Sequence, residues 1–249
     1  MPIIVLTVLV QIALIIHVIR TGRATYWVFI ILMAPGIGSL AYAIIELLPE
    51  LSGNHRARSA LRGVRKTLDP GGDLRRREKE HRLSGSVDAA RKLAGELMDS
   101  GRHQEAITHY ENALTGLYEN DPDLMLGLAT AQFADDQFAE ARQTLERLID
   151  ENPDFRSSDG HLLYARSVEA CGDTDKAHEE YAAVVAYYAG AEARARYGRF
   201  LESQGDNEAA LAEYEEIIVA ADLAPRHYQK AQKAWINEAK AGIRRLSGE

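Results

Sequence analysis

The chain has 249 residues, a net charge of −8 and a single cysteine, Cys171. One thiol excludes an intramolecular disulfide framework and any multi-cysteine metal site. Charge is segregated: residues 1–50 are neutral, residues 51–82 carry ten Lys/Arg against four Asp/Glu, and residues 83–249 carry 17 basic against 31 acidic residues. An acidic body lacks the cationic surface that phosphate backbones require, which argues against nucleic acid as a partner.

Residues 3–19 are apolar except for Thr7, Gln11 and His17. As a helix they would rise about 25 Å against a hydrocarbon core of about 30 Å. A signal peptide is not expected, because no basic residue precedes the apolar run and Arg20 closes it. A second run, residues 26–48, has no charge before Glu46, and five residues, Thr21 to Thr25, follow Arg20 before it begins. The pattern predicts a transmembrane hairpin over residues 1–50, with Tyr26 and Trp27 at an interface. Pro35-Gly36-Ile37-Gly38 falls near the middle of the second run and predicts a kink there.

Arg56, Arg58, Arg62, Arg65 and Lys66 follow the second run, against Arg20 and Arg23 between the two. The positive-inside rule then places N-terminus, neck and body on the cytoplasmic face of an inner membrane, as a multi-pass protein. Trp27, Pro35, Gly38 and Tyr42 together resemble the N-terminal membrane module of cardiolipin synthases and related phospholipase D-like proteins. The His-x-Lys signature of that superfamily is absent, so the resemblance implies anchoring, not lipid chemistry.

In the neck (51–85), Ala57, Leu61, Val64 and Leu68 step by four, three and four, with Arg58, Arg62, Arg65 and Lys66 on the other face. This predicts a short amphipathic helix. Its basic side chains either attract anionic lipid headgroups, at roughly 1 kcal/mol each, or act as topology determinants beside a solvated linker. Asp69-Pro70-Gly71-Gly72 breaks the helix, and Arg75, Arg76, Arg77 and Lys79 form a second basic cluster.

From Val87 onward a unit of about 34 residues recurs. Each copy turns on a Gly or Asp followed by an alanine: Gly101 then Ala106, Asp136 then Ala141, Gly172 then Ala177, Gly205 then Ala210. Small residues at Ala94, Ala129, Ala165 and Gly198 let paired helices cross closely, while Tyr110, Tyr181 and Tyr214 fill the space between units. The pattern resembles the tetratricopeptide repeat family over about 130 residues, although the usual tryptophan near the start of each unit is replaced by Ala90, Met125, His161 and Arg194. The fold expected is all-α: a membrane hairpin, then four helix pairs over 86–224 and a capping helix over 225–249. The second helix of unit one is expected to run on through Leu117 and Tyr118, and the cap to be one helix from Arg226 to Leu246.

No phosphate loop, nucleophile elbow or metal-ligand spacing occurs among the eight histidines, so no enzyme and no cofactor are expected. In the resembled family the concave face of the first helices binds partners. Carried onto this sequence, that face offers Arg91, Gly95 and Met98, then Leu126, Thr130 and Phe133, then Leu162, Arg166 and Glu169, and finally Ala195, Arg199 and Glu202. Such a groove suits an amphipathic or acidic-hydrophobic peptide. Two functions are expected: a membrane-anchored adaptor for protein partners, or a non-catalytic accessory factor in phospholipid metabolism that recognises anionic lipid.

Overall fold

The computed structural model describes residues 2–20, 26–42 and 71–248. All the described elements are helical. The chain divides into two compact units, Met1–Asp73 and Leu74–Glu249. The amphipathic neck helix expected at 57–68, with Arg58, Arg62, Arg65 and Lys66, lies outside the described residues.

The first unit contains α1 (Pro2–Arg20), α2 (Tyr26–Met33) and α3 (Pro35–Tyr42). Val18, Trp27, Ile31 and Tyr42 form its core. The expected second span is not one helix. It breaks at Ala34, and α3 turns back along α2, so that the rings of Trp27 and Tyr42 meet edge-on with centroids 5.3 Å apart. Among the described residues no helix is long and apolar enough to cross a membrane. The break follows from Pro35, which cannot donate to the carbonyl of Ile31; the Gln11 amide donates to that carbonyl instead, at 2.7 Å.

The second unit opens with α4 (Gly72–Ser84), which buries no residue fully. Leu74 nevertheless joins the first body core, Glu78 pairs with Arg102 at 3.5 Å, and His81 packs edge-on against His109. The second basic cluster is therefore helical and docked on the repeats, where a linker was expected.

Four helix pairs follow. They are α5 (Val87–Asp99) with α6 (His103–Ala113), α7 (Pro122–Ala134) with α8 (Phe138–Glu151), α9 (Ser158–Ala170) with α10 (Thr174–Val185), and α11 (Ala191–Ser203) with α12 (Asn207–Leu223). Side-chain oxygens cap many starts: Ser86 accepts from the Ala89 N–H, Asp121 from Leu124, Ser157 from Gly160 and Asp206 from Ala209. Two expectations are corrected. The helix after Gly101 ends at Ala113, because the chain reverses at Gly116 (φ 58°) into a 3-10 turn over Gly116–Tyr118. The cap is two helices, α13 (Arg226–Ala231) and α14 (Lys233–Ser247), parted at Gln232, whose side chain accepts from the Ala191 N–H.

The repeated corner is what builds the pairs. Gly101, Asp136, Gly172 and Gly205 all adopt left-handed backbone, with φ of 73°, 59°, 80° and 82°. Each lets the next N–H reach back over the helix end: Arg102 to Leu97, Gln137 to Gln132, Asp173 to Val168 and Asp206 to Leu201, at 2.9–3.2 Å. The chain reverses within three residues, and Ala106, Ala141, Ala177 and Ala210 become fully buried where the paired helices cross. Aromatic side chains then bridge successive layers. Tyr181 lies against Tyr197 and Phe200 of the next unit, and Tyr214 against Gly242 of the cap, where any Cβ would clash with its ring.

Asp136 is the one described residue other than glycine in left-handed backbone, a conformation that costs a side-chain-bearing residue about 1–2 kcal/mol. Asp136→Gly should raise the stability of the full chain by about 0.5–1 kcal/mol in urea unfolding, and Gly172→Ala should lower it by about 1 kcal/mol. Equal effects of the two changes would contradict the shared corner geometry.

Candidate functional site

The first helices of successive pairs line one face of the body, and two cavities lie on it. One, of about 250 Å³, is walled by Leu126, Thr130, Leu162 and Arg166, with Asp159, Tyr188 and Glu192 at its rim. The other, of about 440 Å³, is walled by Phe133, Phe138, Arg166, Tyr181, Arg196 and Arg199, with the carboxylates of Asp136 and Glu169 also in its lining. Arg166 lines both.

Arg166 differs from the other arginines of this face. Its guanidinium lies 4.3 Å from the centroid of the Phe133 ring, which in turn packs edge-on against Phe138. Among the described residues no carboxylate lies within ion-pair distance of it. Burial, and then the nearby Arg196, push its pKa below the usual arginine value. A guanidinium stays charged in a protein; Glu192 and Glu169 line its two cavities and oppose the shift, but neither pairs with it directly.

Its neighbours are already engaged. Arg199 pairs with Glu238 of the cap at 2.6 Å. Arg196 pairs with Glu192 at 2.8 Å and lies over Trp235. Arg91 is shared between Asp88 and Asp123. Glu169 and Glu202, at equivalent positions in units three and four, each accept a hydrogen bond from a tyrosine twelve residues on, Tyr181 and Tyr214.

Of the twelve expected groove residues, Ala195 is fully buried, and eight others fall into three groups. Leu126, Thr130, Phe133, Leu162 and Arg166 come together around the two cavities, with Leu162 nearly buried at 3 % exposure, as a floor rather than a contact surface. Arg199 reaches the second cavity but is held by the cap. Arg91 lies apart, in a separate recess beside Tyr118 and Asp121, and Met98 packs on the first core. Arg196, Tyr188 and Glu192 line the face unexpectedly. Tyr188 lies between α10 and α11 and Glu192 in the first turn of α11, where periodicity gives no signal, while Arg196 is one turn further into α11.

A larger cavity, about 560 Å³, opens between α8, α9 and α10. It contains a network invisible in the sequence: His161 bonds both the Glu180 carboxylate, at 2.6 Å, and the Tyr187 hydroxyl, while Lys176 pairs with Glu180 at 2.8 Å. Each of these polar groups already has its partner within the protein, in contrast to Arg166. No group of three or more metal-ligating side chains occurs among the described residues.

The far end of the face is closed by charge. Arg245 donates both Nε and Nη2 to the two oxygens of Glu202, at 3.0 and 2.8 Å, and Tyr214 donates to the same carboxylate. The Arg245 guanidinium, ahead of the Tyr214 hydroxyl, holds the Glu202 carboxyl below its usual range, with burial opposing. A carboxyl whose pKa is depressed on folding contributes stability above its unfolded value, about 4.3, and loses it as pH falls through the folded value. Acid unfolding of the cap should therefore begin below that pH, and Glu202→Gln should flatten this part of the profile. Tryptophan fluorescence from Trp235 would report it, and an unchanged profile would show that the pair is idle.

Models described as tetratricopeptide repeat match residues 97–167 and 165–226. Both lie in the body, and the resemblance of residues 26–48 to the cardiolipin synthase module has no counterpart in them. No curated protein matches the chain. Similar solved structures include a thermophilic TPR protein of Thermus thermophilus, at 17 % identity and a TM-score of 0.54 over 68 % of this chain and 88 % of that one. MamA from residue 41 to its end, from Desulfovibrio magneticus RS-1, matches at 15 % identity and a TM-score of 0.53 over 66 % and 94 %. Repeats of a putative kinesin light chain from Podosopora anserina match at 18 % and 0.51 over 65 % and 93 %. At these identities the likeness shows the fold alone.

Proposed function

Starting from a chain whose residues 97–226 belong to the tetratricopeptide-repeat family, we propose that it is an adaptor that holds a segment of a protein partner in the groove centred on Arg166, at the cytoplasmic face of a membrane to which its head anchors it. The repeat fold itself implies a protein-binding scaffold, and the groove gives that role its chemistry. Arg166 carries the reading. A half-buried guanidinium stacked on Phe133, without an ion-pair partner and shared by two cavities, is a receptor for a carboxylate. Leu126 and Phe133 beside it, over the Leu162 floor, accept apolar side chains. The segment bound is thus an acidic residue flanked by aliphatic or aromatic ones.

Membrane attachment is supported by the apolar side chains that the head presents outward, among them Met33 at 84 % exposure, Ile19 at 68 % and Phe29 at 67 %. Side chains of this kind in such number are costly in water and favoured in lipid.

Selection from a displayed random-peptide library against the detergent-solubilised full chain tests the groove. Recovered peptides should carry Asp or Glu next to Leu, Ile or Phe. Arg166→Glu should weaken their binding by about 2 kcal/mol or more, roughly 30-fold in Kd. Peptides without an acidic residue, or affinity indifferent to Arg166→Glu and Phe133→Ala, would contradict the assignment.

A further inference from the structure

We infer that Arg199 is a second carboxylate receptor, one repeat along from Arg166, and that Glu238 of the cap occupies it as an internal stand-in which an acidic side chain of the partner displaces. The inference rests on the adaptor reading proposed above and extends the bound segment from one acidic residue to two.

Repetition puts the two arginines in the same place. Arg166 and Arg199 each stand six residues before the corner glycine of their unit, Gly172 and Gly205, and both line the cavity of about 440 Å³. The cap helix α14 packs on α11 and α12 as α9 packs on α7 and α8, so it takes the place that the first helix of a fifth unit would hold. What differs is the carboxylate that the next helix offers. Beyond Arg199, α14 supplies Glu238. Beyond Arg166, α11 supplies Glu192, but that carboxylate pairs with Arg196. One position therefore shows the arginine with its anion, and the other shows it without.

The contact with Glu238 is built to be exchanged. Arg199 gives both Nε and Nη2 to a single oxygen, Oε1, at 3.0 and 2.6 Å. Arg245 shows the fuller arrangement nearby, with one donor to each oxygen of Glu202. Parallel bonds to two oxygens are the stronger form, so an incoming carboxylate that meets Arg199 squarely has the advantage over Glu238. The Arg199 side chain is 51 % exposed, and a pair so open to water adds little net stability. The cap does not depend on it. Ile236 and Ala239 are buried in the body core, Gln232 holds the Ala191 N–H, and Arg245 holds Glu202. Glu238 is thus free to swing away while α14 stays in place.

Charge in the cavity favours the exchange. Arg166, Arg196 and Arg199 line it against two carboxylates, Asp136 and Glu169, and the Tyr181 hydroxyl already bonds Glu169. Once an acidic side chain sits on Arg166, Arg199 is the next cation to be claimed, because Arg196 is held both by Glu192 and by the face of Trp235. The partner segment therefore carries two acidic residues, and the repeat fixes the spacing between them.

Selection from the same peptide library, run in parallel on the detergent-solubilised full chain and on full-length Glu238→Gln, decides the matter. The variant should recover peptides with a second Asp or Glu at a constant spacing from the first. Synthesised, these should bind Glu238→Gln about fivefold more tightly than the native chain, and adding Arg199→Gln should abolish the gain. Peptides with one acidic residue should bind all three chains equally. Trp235 fluorescence should show the cap folded in each. A cap that unfolds in Glu238→Gln, or affinities that do not change while Arg166→Glu still abolishes binding, overturns the inference and leaves the adaptor reading intact. Peptides indifferent to Arg166→Glu on either chain overturn that reading, and the second receptor with it.

Discussion

A helix that ends in a left-handed residue hands its chain back antiparallel within three residues, and the body is that reversal used four times. With Gly101, Asp136, Gly172 and Gly205 in that conformation, the paired helices meet at buried alanines instead of splaying apart. Each pair leaves a face of first helices uncovered by second helices, and stacking joins those faces into a groove. Arg166 is presented there because it sits one position after the fully buried Ala165, on the same helix turn but pointing off the crossing.

The groove changes character along its length. Met98 and Phe133 hold the position at which units three and four place Glu169 and Glu202. Those two carboxylates are turned inward onto Tyr181 and Tyr214, and the second is locked further by Arg245. The cap therefore neutralises the last unit and the first unit contributes little beyond packing. The free charge and the open apolar surface coincide near the boundary of units two and three. On the function proposed above, a wide concave surface is thereby narrowed to one binding stretch.

Much of the body was legible in the sequence because its determinants are local. A Gly or Asp at a fixed interval announces a left-handed corner, and an alanine five residues later announces a close helix crossing. The unpaired state of Arg166 was not legible. It depends on Arg196, Arg199 and Arg91 each finding carboxylates elsewhere, on residues as distant as Glu238. The break at Pro35 could be read from one residue, but the direction of α3 beyond it could not. That direction is set by contacts between residues 8 and 15 positions apart, Ile30 with Gly38 and Trp27 with Tyr42. The 3-10 turn at Gly116 and the break at Gln232 were missed for the same kind of reason, since helical periodicity runs across both.

On the function proposed above, the surface around Arg166 is where this protein meets its partner. Photocrosslinking in cells tests it most directly, with a photoreactive residue at the exposed groove position Thr130 and, in a parallel full-length chain, at the exposed position Glu179 on α10. The account predicts a discrete protein adduct from position 130 that disappears when Arg166→Glu is added, and none from position 179. Adducts from position 179 alone, or adducts at 130 that survive Arg166→Glu, would contradict it.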